Sequence, residues 1–351
     1  MVTLSTPWHA LPGIALAGLP QPGRDGQAVT TTWGSTDLAL YRQLFVARHD
    51  AYALQQESGR YARVRAPVDD ELLRAHLSGE ITCAWHCFDA EGMLRWACVD
   101  ADGSDGLLRL QQVYAELRRA GLTAWLEASH GGRGHLWLFL APQPASPVRR
   151  LLAAIVGPVA EIFPKSDVRG RGVGPVVRGP LGVHRRWGQR FGFVEPLALT
   201  PYPPAPEEPL APLTGAVAYS REAIEAAAAA WRPLRPWISL PRSRLPQAGD
   251  VAERLVPLVQ RDGYLLGVCP NHPATGSSLL IYPEQDRWYC LQEGVGGDGV
   301  GLHAHVQRLS GRQAASALMG GVSPAAPPNH RETGISAPSA CFPPPGSPGV
   351  E

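Results

Sequence analysis

Trp96-Ala-Cys-Val-Asp100-Ala-Asp102 and, twenty-seven residues on, Ser129-His-Gly-Gly-Arg133-Gly-His135-Leu-Trp137-Leu-Phe-Leu140 decide how this chain is read. Each contains a short apolar run of the kind that forms a strand. Residues two apart on a strand share a face, so Asp100 and Asp102 present their carboxylates together at the strand's end. Two adjacent like charges are costly unless a cation neutralises them, and oxygen donors suit magnesium or manganese. Asp-x-Asp-Gly is also ordinary turn chemistry. In the second stretch a glycine-rich turn, flanked by Ser129 and His135, opens into an apolar strand. Backbone N–H groups, a hydroxyl, the Arg133 guanidinium and an imidazole together suit a triphosphate. The plainer reading is a flexible hairpin loop.

Working outward, residues 124–128 and 136–140 read as a strand pair around that turn, and 82–87 with 94–99 as a hairpin joined at 89–92. Helices are expected from Thr36 and Asp37 onward, over 69–77, over 107–120 with a stop at Gly121, and over 148–163. Residues 176–177 and 191–194 read as short strands. Strands and helices in mixed order favour an α+β fold over a doubly wound parallel sheet. Residues 196–212 and 233–246 are proline-bearing links on either side of a helix over 220–231.

The 351 residues are enough for two ordinary domains, and 44% of them are hydrophobic, so the chain can bury a real core. No apolar run approaches the roughly 20 residues needed to span a bilayer. The first twenty residues lack a basic region ahead of their apolar stretch, so a secretory signal is not expected. Six cysteines are too sparse for a disulfide scaffold, and a reduced, cytoplasmic protein is the expectation. The net charge of +1 predicts no partner, but residues 165–190 hold seven Lys or Arg against one acid, Asp167. That local patch suits phosphate binding. Cys83, Cys87 and Cys98, with His86, cluster on neighbouring predicted strands but do not all converge, and they read as buried thiols.

On these motifs the chain resembles the archaeo-eukaryotic primase superfamily, in particular primase-polymerases of mobile elements and defence loci. A strand ending in Asp-x-Asp matches the family's first motif, and Ser129 through His135 matches its second. The run Ile162-Phe-Pro-Lys165, then Gly174 to Arg185, then Phe191-Gly-Phe-Val-Glu195, is similar to the segment leading to the third, an acidic residue on a strand. The resemblance implies a catalytic core with an RNA-recognition-like antiparallel sheet plus a second β element. It implies that Asp100, Asp102 and Glu195 hold two magnesium or manganese ions. Ser129, Arg133, His135, Lys165, Arg178, His184 and Arg185 would contact an incoming nucleotide. Glu195 stands where the family usually has aspartate.

A second resemblance lies near the C-terminus. Cys269-Pro-Asn-His272, a hairpin, then Cys290-Leu-Gln-Glu293 and Gly296-Gly-Asp298 resemble the zinc-binding domain of bacterial replicative primases, with Glu293 in place of the last cysteine. The implied zinc ligands are Cys269, His272, Cys290 and Glu293, with His303 or His305 substituting if the following helix folds back. Tyr264, Tyr282, Trp288 and Tyr289 suit either base stacking or a small core.

The expected organisation is an arm at 1–35, a catalytic domain at 36–200, a linker and helix at 201–248, a zinc-ribbon-like domain at 249–320 and a disordered tail at 321–351. The expected function is template-dependent nucleotidyl transfer from (d)NTPs to a 3′-hydroxyl on single-stranded or primed DNA, as in DNA replication. Other replication, mobile-element or defence proteins are possible partners. The alternative is a non-catalytic single-stranded nucleic-acid-binding protein. The second link is expected to let the C-terminal domain reach the active site and serve initiation.

Overall fold

The computed structural model describes residues 33–157, 160–170, 172–202, 209–234 and 245–319. The expected arm and tail therefore lie outside the described residues, apart from the arm's last few, as does most of the second link. In chain order the elements are α1 (Ser35–Phe45), β1 (Tyr52–Gln55), β2 (Tyr61–Val64), α2 (Asp70–Ser78), β3 (Cys83–His86), β4 (Leu94–Ala101), α3 (Gly106–Arg119), β5 (Trp125–Ala128), β6 (Gly134–Gln143), α4 (Ala145–Val156), β7 (Glu161–Phe163), β8 (Val176–Arg178), β9 (Val183–His184), β10 (Gln189–Arg190), β11 (Val194–Glu195), β12 (Thr200–Pro201), α5 (Arg221–Ala230), α6 (Ala248–Leu255), β13 (Leu258–Arg261), β14 (Tyr264–Val268), β15 (Ser277–Tyr282), β16 (Arg287–Cys290), β17 (Val295–Gly297), α7 (Gly299–Gln307) and α8 (Gly311–Leu318). Helices with antiparallel sheets make this an α+β protein, as the mixed order of elements predicts.

Two four-stranded sheets carry the N-terminal part, in the orders β2-β1-β3-β8 and β5-β6-β4-β7. The expected hairpin of residues 82–87 and 94–99 exists only at its base. Phe88 bridges Leu94, and Asp89 closes the turn by accepting from the Met93 N–H. Beyond that point the strands part: β3 joins the first sheet and β4 the second. Trp96, Cys98 and Asp100 alternate on one face of β4, paired with Phe139, Trp137 and His135 of β6. Trp96 and Trp137 meet with ring centroids 5.0 Å apart, Phe45 of α1 lies 5.2 Å from Trp137, and the Trp96 indole donates to the Phe45 carbonyl. An aromatic core thus floors the second sheet and ends at Asp100. Cys83, Cys87 and Cys98 are buried free thiols, as expected.

The helix expected over 148–163 ends at Val156, capped by Gly157 at φ 58°. Gly-Pro at 157–158 breaks it, because proline lacks the N–H that the helix needs. The chain then returns as β7, antiparallel to β4.

The third sheet, β13 to β17 in simple meander order, forms the C-terminal module with α6, α7 and α8. One of its faces packs on α3: Tyr264, Leu266, Leu280, Tyr282, Tyr289 and Leu291 form a cluster with Ala115. The Tyr282 hydroxyl donates to Gln111 Oε1 at 2.6 Å and the Tyr264 hydroxyl to the Leu197 carbonyl at 2.6 Å. The expectation of a module that reaches over to the active site on a flexible link is corrected here. Tyr264, Tyr282, Trp288 and Tyr289 are buried, so these rings are core and not a surface for bases.

Candidate active site

Asp100 sits in a row of ionisable residues that crosses the whole second sheet. Glu127 on β5 pairs with His135 on β6, His135 with Asp100 on β4, and Asp100 with Glu161 on β7. Residues directly opposite in antiparallel strands share a face, with side chains about 5 Å apart. Asp102 follows at the end of β4, largely exposed. Burial raises the Asp100 carboxyl above its ordinary range; His135 opposes this, while the Asp102 and Glu161 charges push it further up. Arg133 Nε pairs with Asp102 at 3.2 Å and Lys165 Nζ with Glu161 at 2.8 Å.

The glycine-rich turn is built for close backbone approach. Gly132, at φ +82°, leaves only 2.2 Å between an added Cβ and the Ser104 carbonyl oxygen. Gly106, at the start of α3, leaves 2.5 Å to the Ala101 carbonyl. Any side chain at these positions would wedge the aspartate loop away from the Ser129–His135 turn. The signal read in the sequence as a phosphate cradle or a flexible loop is, first, a tight crossing of two motifs. Ser129 and His135 are both nearly buried at its ends. His130, within the turn, stacks on Trp187 at 4.0 Å and 14°, and the Arg186 guanidinium lies 4.9 Å from that indole.

Several expected site residues go elsewhere. Glu195 is on β11, beyond β5: Glu127 bridges Phe193, and Glu195 lies two residues further on. Three strand spacings, about 14 Å, separate β11 from β4. Two ions of one site are only about 4 Å apart, so Glu195 cannot share them with Asp100. Its carboxylate instead accepts from the Ala198 N–H at 2.6 Å. Glu161, the residue the structure brings to the pair, was missed because the helix was read through it; the Gly157-Pro158 break was the available signal. Arg178 is only 4% exposed and donates to Glu127 at 2.8 Å, so it is not placed to meet a nucleotide. His184 and Arg185 belong to the β9–β10 hairpin, where the Arg185 N–H donates to Gln55 and burial, then Arg178, lowers the His184 imidazole to about 4.

Residues 61–208 match the family model of the archaeo-eukaryotic primase domain of TOTE conflict systems. This segment is an archaeo-eukaryotic primase domain of the defence-associated type. No curated protein matches the chain. The primase domain's matched segment begins at β2, whereas α1, which precedes it, supplies Tyr41 and Phe45 to the same core. No helix among the described residues is long and apolar enough to cross a membrane.

In the C-terminal module, Cys269, His272, Cys290 and His305 place one ligand atom each within 4.8 Å of one another. The fourth member is His305, because α7 folds back over the sheet, and not Glu293. Cys269 Sγ and His305 Nε2 are 3.2 Å apart, while Glu293 lies outside the cluster, 2.9 Å from His272 and 3.4 Å from the other ring nitrogen of His305. The buried His272 Nε2 has the Glu293 carboxylate at 2.9 Å, without the alignment of a hydrogen bond. Two sulfurs and two imidazoles form a donor set suited to tetrahedral zinc. His303 is not part of the cluster.

Proposed function

We propose that this chain is a primase-polymerase, a template-dependent nucleotidyltransferase that joins (d)NTPs to a 3′-hydroxyl. The observation that carries this is the placement of Asp100 opposite Glu161 and beside His135, with Asp102 two residues further along, inside the segment that matches the primase family. Three carboxylates, two of them paired with Arg133 and Lys165, fit divalent metal. Magnesium or manganese held there supplies charge neutralisation at the transferring phosphoryl group. Ser129 and His135, at the two ends of the glycine-rich turn, would hold the triphosphate by hydrogen bonds. Arg133 and Lys165, now paired with Asp102 and Glu161, would be free to turn to the phosphates once those carboxylates bind cation. Arg185 and Arg186, on the β9–β10 hairpin, would track the nucleic-acid backbone.

In this reading residues 249–320 form a primase-type zinc module in which Cys269, His272, Cys290 and His305 hold the ion. Glu293 orients His305 as the carboxylate of a carboxylate–histidine–metal arrangement. The metal would tie α7 to the sheet.

The test is magnesium- or manganese-dependent extension of an annealed primer by the full chain. Asp100→Ala with Asp102→Ala is expected to abolish incorporation while leaving single-stranded DNA binding largely intact. No extension by the unaltered chain with either metal, alongside retained DNA binding, would establish the non-catalytic alternative.

A further inference from the structure

At the β5 end of the row of ionisable residues lies an ion pair that none of the motifs predicts. Glu127 is fully buried and Arg178 nearly so, and they meet at 2.8 Å. They come from different sheets, Glu127 from β5 of the second and Arg178 from β8 of the first. Glu127 has a second set of partners: its Oε2 accepts from His135 Nδ1 at 2.9 Å and from Trp137 Nε1 at 3.1 Å. Burial alone would raise this carboxyl, but Arg178 and His135 outweigh it and keep it below the ordinary range. Glu127 is thus an ionised acceptor with no proton to give. The imidazole nitrogen facing it must carry the hydrogen.

We infer that Glu127, held by Arg178, is a positioning residue that fixes the tautomer and ring plane of His135. With Nδ1–H donated to Glu127, Nε2 is turned toward Asp100, 3.8 Å from its Oδ1. An imidazole free to rotate or exchange tautomers would offer that contact only part of the time. The arrangement follows the logic by which buried carboxylates orient functional histidines elsewhere. Arg178 makes the burial of Glu127 tolerable, since a lone buried carboxylate would neutralise itself and release the ring. In addition the pair anchors one sheet to the other. The role rests on the nucleotidyl-transfer reading, but the geometry of the ring can be measured without it.

One double variant of the full chain separates positioning from stability. Glu127→Gln with Arg178→Met removes both buried charges at similar volume, which is tolerated far better than removal of one. This double variant is expected to keep its cooperative melting and its single-stranded DNA binding. Its kcat/KM for nucleotide incorporation should fall by about 10- to 100-fold, the usual loss when an orienting partner is removed. The loss should appear largely as a raised nucleotide KM. Nitrogen-15 NMR of histidine-labelled protein, with His135→Asn for assignment, reads the ring directly. The unaltered chain should show Nδ1–H for His135 and the double variant should lose that preference. An Nε2–H tautomer in the unaltered chain overturns the inference, as does an unchanged tautomer or unchanged kcat/KM in the double variant. If the unaltered chain incorporates nothing, the proposed activity fails, and the NMR result still decides the role of Glu127.

Discussion

Asp100 and Glu161 stand directly across from each other on antiparallel β4 and β7. Neither carboxylate has the other's strand as a sequence neighbour; the pairing is created by a short return strand after α4. If these two and Asp102 form the metal site, Glu161→Gln should reduce primer extension by at least about 100-fold, since it removes a charge at the transferring phosphoryl group. Glu195→Gln, whose side chain accepts from Ala198 N–H, should retain activity within a few-fold. Steady-state incorporation at saturating manganese distinguishes them. The reverse ranking would restore Glu195 and remove Glu161.

How much of this was legible in the sequence follows from which signals are local. Asp100, Asp102, Ser129 and His135 lie in contiguous runs whose period-two texture marks strands, so both motifs were readable. Glu161 was not, because three residues of strand carry too little periodicity and the preceding helix pattern runs into them. Arg178 illustrates a different failure. Its sequence context is basic, yet its partner Glu127 is fifty-one residues away, and only the pairing of two sheets reveals that the charge is already satisfied. The fourth member of the Cys–His cluster was hidden likewise: the spacing pointed to Glu293, and the back-folding of α7 that brings His305 is a tertiary event.

Helix α2, beside the first sheet, carries a buried histidine that should make the protein acid-sensitive. His76 accepts from the Cys83 N–H at 3.1 Å through Nδ1, and its Nε2 lies 2.8 Å from the Tyr41 hydroxyl. Burial lowers this imidazole to about 3. An unfolded chain protonates it near pH 6.5 and the native one only near 3. The folded pKa is depressed, so the neutral ring's contribution is complete above about pH 6.5 and is lost as pH falls toward 3. The slope should approach 1.4 kcal/mol per pH unit from this residue. Denaturant unfolding between pH 7 and 4 should give a shallower dependence for His76→Gln than for the unaltered chain, although the variant is less stable at pH 7. Equal slopes would contradict the assignment.

Metal analysis tests the C-terminal cluster. One zinc per chain is expected, lost from Cys269→Ser with Cys290→Ser and from His305→Ala. Glu293→Gln should still bind, with affinity lower by about 10- to 100-fold, because it removes an orienting partner and not a ligand. Competition with a chromophoric chelator gives the ranking. If Glu293→Gln loses zinc while His305→Ala keeps it, the ligand set is the one the spacing suggests.

The last expectation concerns what the C-terminal module does for the primase domain. Helix α3 starts against the aspartate loop, where Gly106 touches the Ala101 carbonyl, and its opposite side carries the module. On that side Gln111 spans the joint: its Nε2 donates to the Pro196 carbonyl at 2.6 Å and its Oε1 accepts from Tyr282. A chain ending at residue 248 would expose Ala115 and leave Gln111 Oε1 without its buried donor. Water can replace the lost donor there, but the apolar face of α3 becomes exposed, at roughly 25 cal/mol per Å². Such a truncation should therefore melt at lower temperature, tend to aggregate and lose extension of an annealed primer as well as any synthesis without one. Tyr282→Phe in the full chain should reproduce a part of this, lowering stability by about 1–2 kcal/mol while leaving zinc content unchanged. A truncated chain that keeps the full-length melting temperature and extends primers normally would mean that α3 does not need this support, and would return the module to a role in initiation alone.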